Sequence, residues 1–207
     1  MRAARKLARR ASRTEHGLFL AEGPQAVREA LAVPGLVREV FASPGHHDAL
    51  RALAGDVPWL AADDAAIAAL SDTVHPQGVV AVCRTLDVPL EDALEAAPRL
   101  VAVCAGIRDP GNAGTVIRCA DAAGAGAVVV TGDSVDVYNG KAVRASVGSL
   151  FHLPVVVRRD PVATVETLRG SGLTVLAADG YGEVDLDDAV DSGLLNGRTA
   201  WLFGNEA

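Results

Sequence analysis

Apolar residues fall along this chain in two kinds of run, and each kind predicts a different element. Short continuous apolar runs at 100–105 and 127–130 are typical of parallel strands that are covered on both faces. Between these runs, apolar side chains from Ala113 to Ala123 recur at helical spacing, and Gly124 stands where a helix usually ends. The pattern therefore predicts a strand, a helix and a second, parallel strand in succession.

The same alternation of strand-like and helical runs continues on both sides of this unit. Before residue 86 it predicts helices at 3–12, 24–31, 46–53 and 63–70, and strands at 18–21, 37–42, 59–61 and 78–84. Beyond residue 130 it predicts helices at 142–147 and 162–168, and strands at 155–157, 173–178 and 199–203. Short apolar strands separated by helices indicate an α/β fold, with a mostly parallel sheet covered by helices on both faces in the second half.

The segment 86–98 is acidic and bracketed by prolines, which is typical of a connector between domains. At 207 residues, of which 50% are apolar, the chain has enough material for packed cores in one or two domains. We therefore predict a small α/β domain at 1–85, a linker at 86–98 and a second domain at 99–207.

The loop after the strand at 100–105 is the strongest candidate for chemistry, because ligands bind at the carboxyl edge of open α/β sheets. The residues Asp109 to Asn112 (DPGN) predict a turn in which Pro110 sets φ and Gly111 supplies a positive φ. Asn112 is then placed to cap the following helix, and Arg118 lies off its apolar stripe. From the residues alone, the simplest interpretation is an ordinary helix cap and an exposed helix arginine.

Three segments, in order, resemble the SpoU (TrmH-like) branch of the SPOUT RNA 2'-O-ribose methyltransferases. Residues 109–125 (DPGNAGTVIRCADAAGA) resemble the first motif of that family, residues 141–154 (KAVRASVGSLFHLP) its R-A-S-x-G stretch, and residues 202–207 (LFGNEA) the start of its second motif. The third motif of the family has no counterpart before Ala207. Residues 19–31 (FLAEGPQAVREAL) resemble the substrate-binding domain that precedes the catalytic domain in many SpoU enzymes.

The resemblance implies a fold, an activity and a site. It implies a C-terminal SPOUT domain with a trefoil knot, incomplete in this chain, that binds S-adenosylmethionine and methylates a ribose of ribosomal or transfer RNA. It also implies a homodimer. The residues that it assigns are Asn112, Arg118 and Glu206 for catalysis, Ala178, Phe203, Gly204 and Asn205 for the cofactor, and Arg144 and Ser146 for RNA.

Methyl transfer to a ribose 2'-hydroxyl is an in-line displacement, which needs positioning of the reactants and removal of a proton. An arginine side chain is almost never deprotonated in proteins, so Arg118 is expected above all to grip an RNA phosphate and to hold the hydroxyl in line, although proposals for the family include this arginine as the base. Asn112 is expected to orient Arg118 or the ribose, and Glu206 is expected to orient the neighbouring loops.

A net charge of −7 argues at first against a nucleic-acid partner, but the charges are unevenly distributed. Residues 1–13 contain six basic residues and no acidic one, whereas the remainder holds 13 basic and 26 acidic residues. Two interpretations of this basic arm stay open: a phosphate-binding segment, because local potential attracts a polyanion, or a solvated or frayed terminus. The residues predicted to bind RNA in this arm are Arg2, Arg5, Lys6, Arg9 and Arg10.

Other classes of function find no support in the sequence. No apolar stretch is long enough to span a membrane, and no G-x-G-x-x-G, G-x-S-x-G, H-E-x-x-H or Walker motif occurs. The histidines His46, His47 and His75 lack the spacing of metal ligands, so we expect no metal site.

The three cysteines, Cys83, Cys104 and Cys119, lie in apolar strand or helix contexts. This placement predicts buried, reduced thiols in a cytoplasmic protein. The alternative for Cys119 is an activated nucleophile beside Arg118.

The sequence stops five residues into the second motif, and two expectations follow. The strand at 199–203 would be frayed or sticky, because the residues that shelter it in the family are absent. The cofactor pocket would lack one wall, so this chain would neither be stabilised by S-adenosylmethionine nor transfer methyl groups, unlike a form longer by roughly 50 residues. The alternative function, from another class, is a non-catalytic RNA-binding protein that keeps the fold.

Overall fold

A computed structural model describes residues 1–45 and 47–205, and these divide into two compact units. Unit 1 consists of residues 1–86 and 136–152. Unit 2 consists of residues 87–135 and of the described residues from 153 onward. The division into domains at 1–85 and 99–207 with a linker between them stays a prediction.

The secondary structure alternates between strands and short helices along the whole described chain. Up to residue 86 the elements are α1 (Arg2–Lys6), α2 (Arg10–His16), β1 (Leu18–Glu22), α3 (Pro24–Ala32), β2 (Val37–Ala42), α4 (Asp48–Leu53), β3 (Trp59–Ala61), α5 (Asp64–Ala68) and β4 (Val79–Arg84). Beyond it they are α6 (Leu90–Glu95), β5 (Leu100–Ala105), α7 (Pro110–Ala122), β6 (Ala127–Thr131), α8 (Gly140–Ala145), a 3₁₀ turn (Ser149–Phe151), β7 (Val155–Arg158), α9 (Pro161–Gly170), β8 (Thr174–Ala178), α10 (Leu186–Asp191), a 3₁₀ turn (Leu194–Asn196) and β9 (Thr199–Phe203). None of the helices in these described ranges is long and apolar enough to cross a membrane.

Unit 1 is built on a four-stranded mixed sheet in the order β1-β4-β2-β3. Strand β4 pairs antiparallel with β1 and β2, whereas β3 pairs parallel with β2. Its core includes Phe41, Ile67 and Val80, and Ala4 and Leu7 of the N-terminal segment pack into the same cluster. The N-terminal segment is therefore a folded part of unit 1, and its interpretation as a frayed terminus is wrong.

The basic N-terminal segment forms two helices, α1 and α2, where the sequence predicts one helix at 3–12. Arg13 is buried, at 5% exposure, and its Nη1 donates to the carbonyl oxygens of Leu7 (2.8 Å) and Ala8 (3.0 Å). These carbonyls follow the end of α1, where helical carbonyl groups lack partners within the helix. The buried guanidinium of Arg13 therefore caps the C-terminal end of α1. Nothing in the local sequence pattern predicts that Arg13 is buried.

Unit 2 is built on a five-stranded parallel sheet in the order β7-β6-β5-β9-β8. The predicted succession of strand, helix and parallel strand is confirmed as β5, α7 and β6. The core of the unit includes Val101, Val103, Val129 and Leu168. The predicted α/β fold class, with a parallel sheet in the second half, is confirmed, and the trefoil knot stays a prediction.

The strand β9 lies inside the sheet of unit 2 rather than at its edge. All five of its residues pair with β5 on one side and with β8 on the other. Thr199 and Ala200 are buried, whereas Trp201, Leu202 and Phe203 are half-buried. The expectation that this strand is frayed is therefore wrong, because ladders on both sides satisfy its backbone groups.

Residues 136–152 pack in unit 1, although they follow β6 of unit 2 in the chain. The ring of Phe19 in β1 lies 4.7 Å from the ring of Tyr138 and 6.1 Å from that of Phe151, measured between centroids. The hydroxyl of Tyr138 accepts a hydrogen bond from the backbone N–H of Leu86 at 2.8 Å. An aromatic cluster thus joins sequence-distant parts of unit 1.

Hydrogen exchange tests the placement of β9. We expect its amide protons to exchange about as slowly as those of β5, because both strands are paired on both sides, and more slowly than those of the exposed segment 179–185. Exchange measured by mass spectrometry or NMR at neutral pH gives the comparison, with the edge strand β8 as an internal control. Exchange in β9 as fast as in 179–185 would contradict this placement.

Candidate functional site

The helix α7 begins about one turn earlier than the sequence predicts, and Asp109 is its cap. The Oδ1 atom of Asp109 accepts a hydrogen bond from the backbone N–H of Asn112 at 3.0 Å, and Pro110 lies in the first helical turn. Gly111 is helical and has no positive φ. The predicted turn at 109–112 and the predicted cap at Asn112 are therefore both wrong, because aspartate followed by proline is itself a helix-start signal.

Asn112 and Arg118 are both exposed on α7, but they face different directions. The buried side of the helix carries Ala113, Ile117 and Ala120. A separation of six positions corresponds to about 9 Å along the axis and about 120° around it. Within the described residues, no hydrogen bond or ion pair engages either side chain, so Arg118 offers an unpaired, exposed guanidinium.

Three strand ends lie side by side at the carboxyl edge of the sheet in unit 2, in the order β5, β9, β8. Phe203 is the register partner of Cys104 in β5 and of Ala178 in β8. Ala178 is exposed, and Gly204 and Asn205, which follow β9, are exposed as well. The four residues predicted for the cofactor therefore share one edge with the end of the strand that precedes α7.

The loop between β5 and α7 is held in place by Ser134, which follows β6. The buried hydroxyl of Ser134 accepts from the backbone N–H of Gly106 at 2.9 Å and lies 2.7 Å from the carbonyl oxygen of Thr131. Gly106 has a φ of 77°, a conformation that favours glycine. These contacts fix where the chain leaves β5, and hence where α7 and its exposed residues begin.

The two residues of the R-A-S-V-G stretch predicted to bind RNA lie in unit 1 and differ in accessibility. Nη1 of Arg144 donates to Oε2 of Glu22 at 3.1 Å, and 28% of the Arg144 side chain is exposed. Ser146 is fully buried, and its hydroxyl donates to the carbonyl oxygen of Val143 at 2.8 Å. Contact between RNA and Ser146 stays a prediction, and it would require the hydroxyl to leave this bond.

The predicted RNA-binding residues of the N-terminal segment are exposed on α1 and α2 and on the turn between them. Within the described residues, none of these five cations forms an ion pair. An unpaired surface cation is available to a phosphate without first breaking another contact. The phosphate-binding interpretation of these residues stays a prediction: Arg2, Arg5, Lys6, Arg9 and Arg10.

The cysteines fall into two classes. Cys83 and Cys104 are buried, and burial raises the pKa of both thiols, that of Cys104 to about 12. Cys119 is exposed on α7 beside Arg118, so its predicted burial is wrong. Cys119 lies off the buried side of α7, because that side carries its neighbour Ala120 together with Ala113 and Ile117.

Two residues singled out by their sequence lie outside the described residues. They are Glu206, predicted to act in catalysis, and His46. Across the described ranges, no group of three or more His, Cys, Asp or Glu side chains is arranged to hold a metal ion.

Sequence analysis missed the partner of Arg144. Glu22 follows the predicted strand at 18–21, and nothing in the neighbouring sequence distinguishes it from any other carboxylate between a strand and a helix. The pairing joins residues 122 positions apart, so only the tertiary structure reveals it.

Two family models match the chain. The model described as SpoU rRNA Methylase family matches residues 99–207. The model described as MRM3-like substrate binding domain matches residues 1–81. Together they cover most of the chain and contain every residue assigned by the resemblance.

Curated relatives carry names of RNA methyltransferases. RlmP of Bacillus subtilis, named 23S rRNA (guanosine(2553)-2'-O)-methyltransferase, is 37% identical over 171 residues, which cover 83% of this chain and 66% of that protein. The mitochondrial rRNA methyltransferase 3 of Xenopus tropicalis is 32% identical over 178 residues, which cover 82% of this chain and 42% of that protein. The chain thus spans less than two thirds of the length of these relatives.

Solved structures of similar architecture cover nearly the whole chain. The SpoU methyltransferase AviRb of Streptomyces viridochromogenes in complex with AdoMet has a TM-score of 0.80 and 30% identity, and the match covers 100% of this chain and 80% of that one. The AdoMet-bound rRNA methyltransferase of Sinorhizobium meliloti has a TM-score of 0.81 and 27% identity, and the match covers 99% and 77% of the two chains.

Thiol modification tests the burial of the cysteines. We expect iodoacetamide to modify Cys119 alone in the folded protein at neutral pH, because the raised pKa of the other two thiols leaves little thiolate and burial blocks access. Mass spectrometry should find one adduct on the native chain and three on the denatured chain. The Cys119→Ser variant should show no native adduct, and modification of Cys83 or Cys104 as fast as Cys119 would contradict the assignment.

Proposed function

The chain belongs to the SpoU rRNA methylase family, and we propose that it transfers a methyl group from S-adenosylmethionine to a ribose 2'-hydroxyl of ribosomal RNA. The observation that carries this proposal is the geometry of unit 2. The end of β9 lies between the ends of β5 and β8, and the loop after β5 leads into the helix that presents Asn112 and Arg118. A ligand-binding edge and an unpaired cation therefore occur in one unit.

The residues at this edge fit a bound S-adenosylmethionine. Among the described residues, apart from Gly204 and its two chain neighbours, no atom lies within 4 Å of the position that a β-carbon on Gly204 would take, so the main chain there is open to a ligand. The neighbouring Ala178 has a small exposed side chain, and Phe203 offers a half-buried aromatic ring. We infer that Ala178, Phe203, Gly204 and Asn205 hold the cofactor, which supplies an electrophilic methyl group when it is bound.

Arg118 is the residue that we assign to the RNA. Its guanidinium stays charged and presents N–H donors that match the oxygens of a phosphate. A contact to the phosphate next to the target ribose would hold that ribose against the cofactor edge, and such positioning lowers the barrier of a two-reactant step. We assign Asn112, at the first turn of α7, to orienting the ribose, because its distance from Arg118 around the helix argues against direct orientation of that side chain.

The substrate class follows from the names of the relatives and from the charge of unit 1. The relative RlmP is named as a methyltransferase of 23S rRNA, so we propose RNA of the large ribosomal subunit as the substrate. The unpaired cations of α1 and α2 provide phosphate contacts in the segment matched by the substrate-binding model. A homodimer and a cytoplasmic location stay predictions.

A methyl-transfer assay tests the proposed function. Purified protein is incubated with S-adenosylmethionine that carries a labelled methyl group and with 23S rRNA lacking 2'-O-methylation. We expect label to enter the RNA with a form longer by roughly 50 residues, and nuclease digestion should release it as a 2'-O-methylated nucleoside. The 207-residue chain, assayed in parallel, is expected to transfer none. This longer form also serves for the Arg118 variants. RNA binding without transfer by the longer form would favour the non-catalytic RNA-binding alternative, and label on a base would overturn the proposed reaction.

Replacement of Arg118 tests its assigned role. We expect Arg118→Ala to lower kcat/KM for RNA by roughly 100-fold, the effect of losing a positioning contact. The melting temperature should hardly change, because an exposed residue without partners contributes within about 0.5 kcal/mol to stability.

Arg169→Ala is the matched control, because Arg169 is also an exposed arginine on a helix of unit 2. This variant should retain the activity of the original chain. A melting temperature for Arg118→Ala as low as that of a core variant would instead identify Arg118 as a structural residue.

A further inference from the structure

Residues 136–152 contain the R-A-S-V-G stretch and pack in unit 1, where two arginine–carboxylate ion pairs hold them. Arg13 pairs with Asp136, with 2.7 Å between Nη2 and Oδ2. Glu22 pairs with Arg144, with 3.1 Å between Oε2 and Nη1. In each pair one partner comes from residues 1–22 and the other from residues 136–152. The two pairs differ in how many N–H groups of the arginine remain unused.

Glu22, at the end of β1, is a nearly buried carboxylate whose two oxygens both accept hydrogen bonds. Its Oε1 accepts from the hydroxyl groups of Ser71 and Thr73, the latter at 2.5 Å. Its Oε2 accepts from the backbone N–H of Asp72 at 3.3 Å and from Arg144. Only 9% of its side chain is exposed. A carboxylate held by four donors keeps one orientation, so it fixes the position of the guanidinium that it binds.

Arg144 uses only part of its hydrogen-bonding capacity in this contact. A guanidinium has five N–H groups in a rigid, planar arrangement. The bond to Glu22 uses Nη1, and within the described residues no group accepts from Nε or Nη2. The side chain is 28% exposed, so solvent and ligands reach it. The unused N–H groups match the planar, two-oxygen face of a phosphate.

The guanidinium of Arg13, unlike that of Arg144, is fully engaged within the protein. Its Nε and Nη2 both contact Asp136, and its Nη1 donates to the carbonyl oxygens of Leu7 and Ala8. The residue is 5% exposed. Every nitrogen of Arg13 is occupied within the protein, so this pair holds the fold of unit 1 and offers nothing to a ligand.

We propose that Glu22 is a positioning residue for RNA binding: it holds the Arg144 guanidinium so that the remaining N–H groups bind one phosphate of the RNA substrate. This inference rests on the proposed function, since it assumes an RNA substrate. A free arginine side chain loses much rotational freedom when it binds a phosphate. Because Glu22 has already ordered Arg144, that loss is smaller when RNA binds.

The test compares two carboxylate-to-amide substitutions in the 207-residue chain, Glu22→Gln and Asp136→Asn. Each removes one negative charge beside an arginine of unit 1, so a general gain in positive charge affects both variants equally. The affinity for a labelled 23S rRNA fragment is measured over a series of salt concentrations, together with the melting temperature. We expect Glu22→Gln to weaken binding roughly three- to tenfold relative to Asp136→Asn, the range expected for one side chain that must be ordered on binding.

The salt dependence separates positioning from direct contact. Glu22→Gln leaves the charge of Arg144 in place, so the slope of log affinity against log salt should stay unchanged. Arg144→Gln removes the phosphate contact itself, so the magnitude of its slope of log affinity against log salt should fall by the contribution of about one phosphate contact. A purely structural role for Glu22 would lower the melting temperature without changing the affinity of the folded protein.

A further variant keeps the proposal testable if Glu22→Gln does not fold. Arg144→Lys retains the charge, but an ammonium lacks the planar fork needed to contact Glu22 and a phosphate at once. We expect weaker binding with an unchanged slope.

The outcomes that overturn the proposal are specific. If Glu22→Gln binds as Asp136→Asn does, or if it binds more tightly because Glu22 competes with RNA for Arg144, Glu22 is not a positioning residue. Failure of the unsubstituted chain to bind the RNA would count against the proposed function instead.

Discussion

The insertion of β9 between β5 and β8 is the constraint on which unit 2 depends. Backbone pairing on both sides of β9 joins strands that would otherwise be separate, and it aligns Cys104, Phe203 and Ala178 at one level of the sheet. Arg198, just before β9, donates to the carbonyl oxygens of Pro98 (3.0 Å) and Ser171 (2.7 Å), so the strand is anchored to both neighbours where it begins. Since β5 and β9 are about 100 residues apart, this pairing forms only after a long loop has closed.

The candidate site is a consequence of that alignment together with local chemistry at the start of α7. Parallel strands end at one edge, so the order β5-β9-β8 brings the open main chain at Gly204 near the loop that leaves β5. Ser134 holds this loop through Gly106, and Asp109 then caps the helix. The core side of α7 carries Ala113, Ile117 and Ala120, whereas Arg118 lies on the exposed side, without a partner in the described part of the chain and available to a polyanion.

Unit 1 uses its buried charges in two ways. Each guanidinium nitrogen of Arg13 has a partner within unit 1, and its ion pair with Asp136 holds residues 136–152 against the N-terminal helices. The pair of Glu22 and Arg144 leaves donors free at a partly exposed position. Removing one member of a buried pair leaves an uncompensated charge, so both pairs constrain where the R-A-S-V-G stretch lies, but only the second can contact a ligand directly.

Features that depend on neighbouring residues were predictable from the sequence alone. Apolar runs predicted the parallel strands, helical spacing predicted most of α7, and the ordered motifs around Asn112, Arg144 and Gly204 indicated the family. Tertiary structure alone decided what depends on contacts between distant residues: the place of β9 inside the sheet, the exposure of Cys119 and the pairing of Glu22 with Arg144. The cap at Asp109 was a local signal that the turn interpretation overlooked. Strand order and ion pairing are set by the packing of whole elements, and a local pattern of apolar and polar residues specifies which face of an element is buried but not which neighbour covers it.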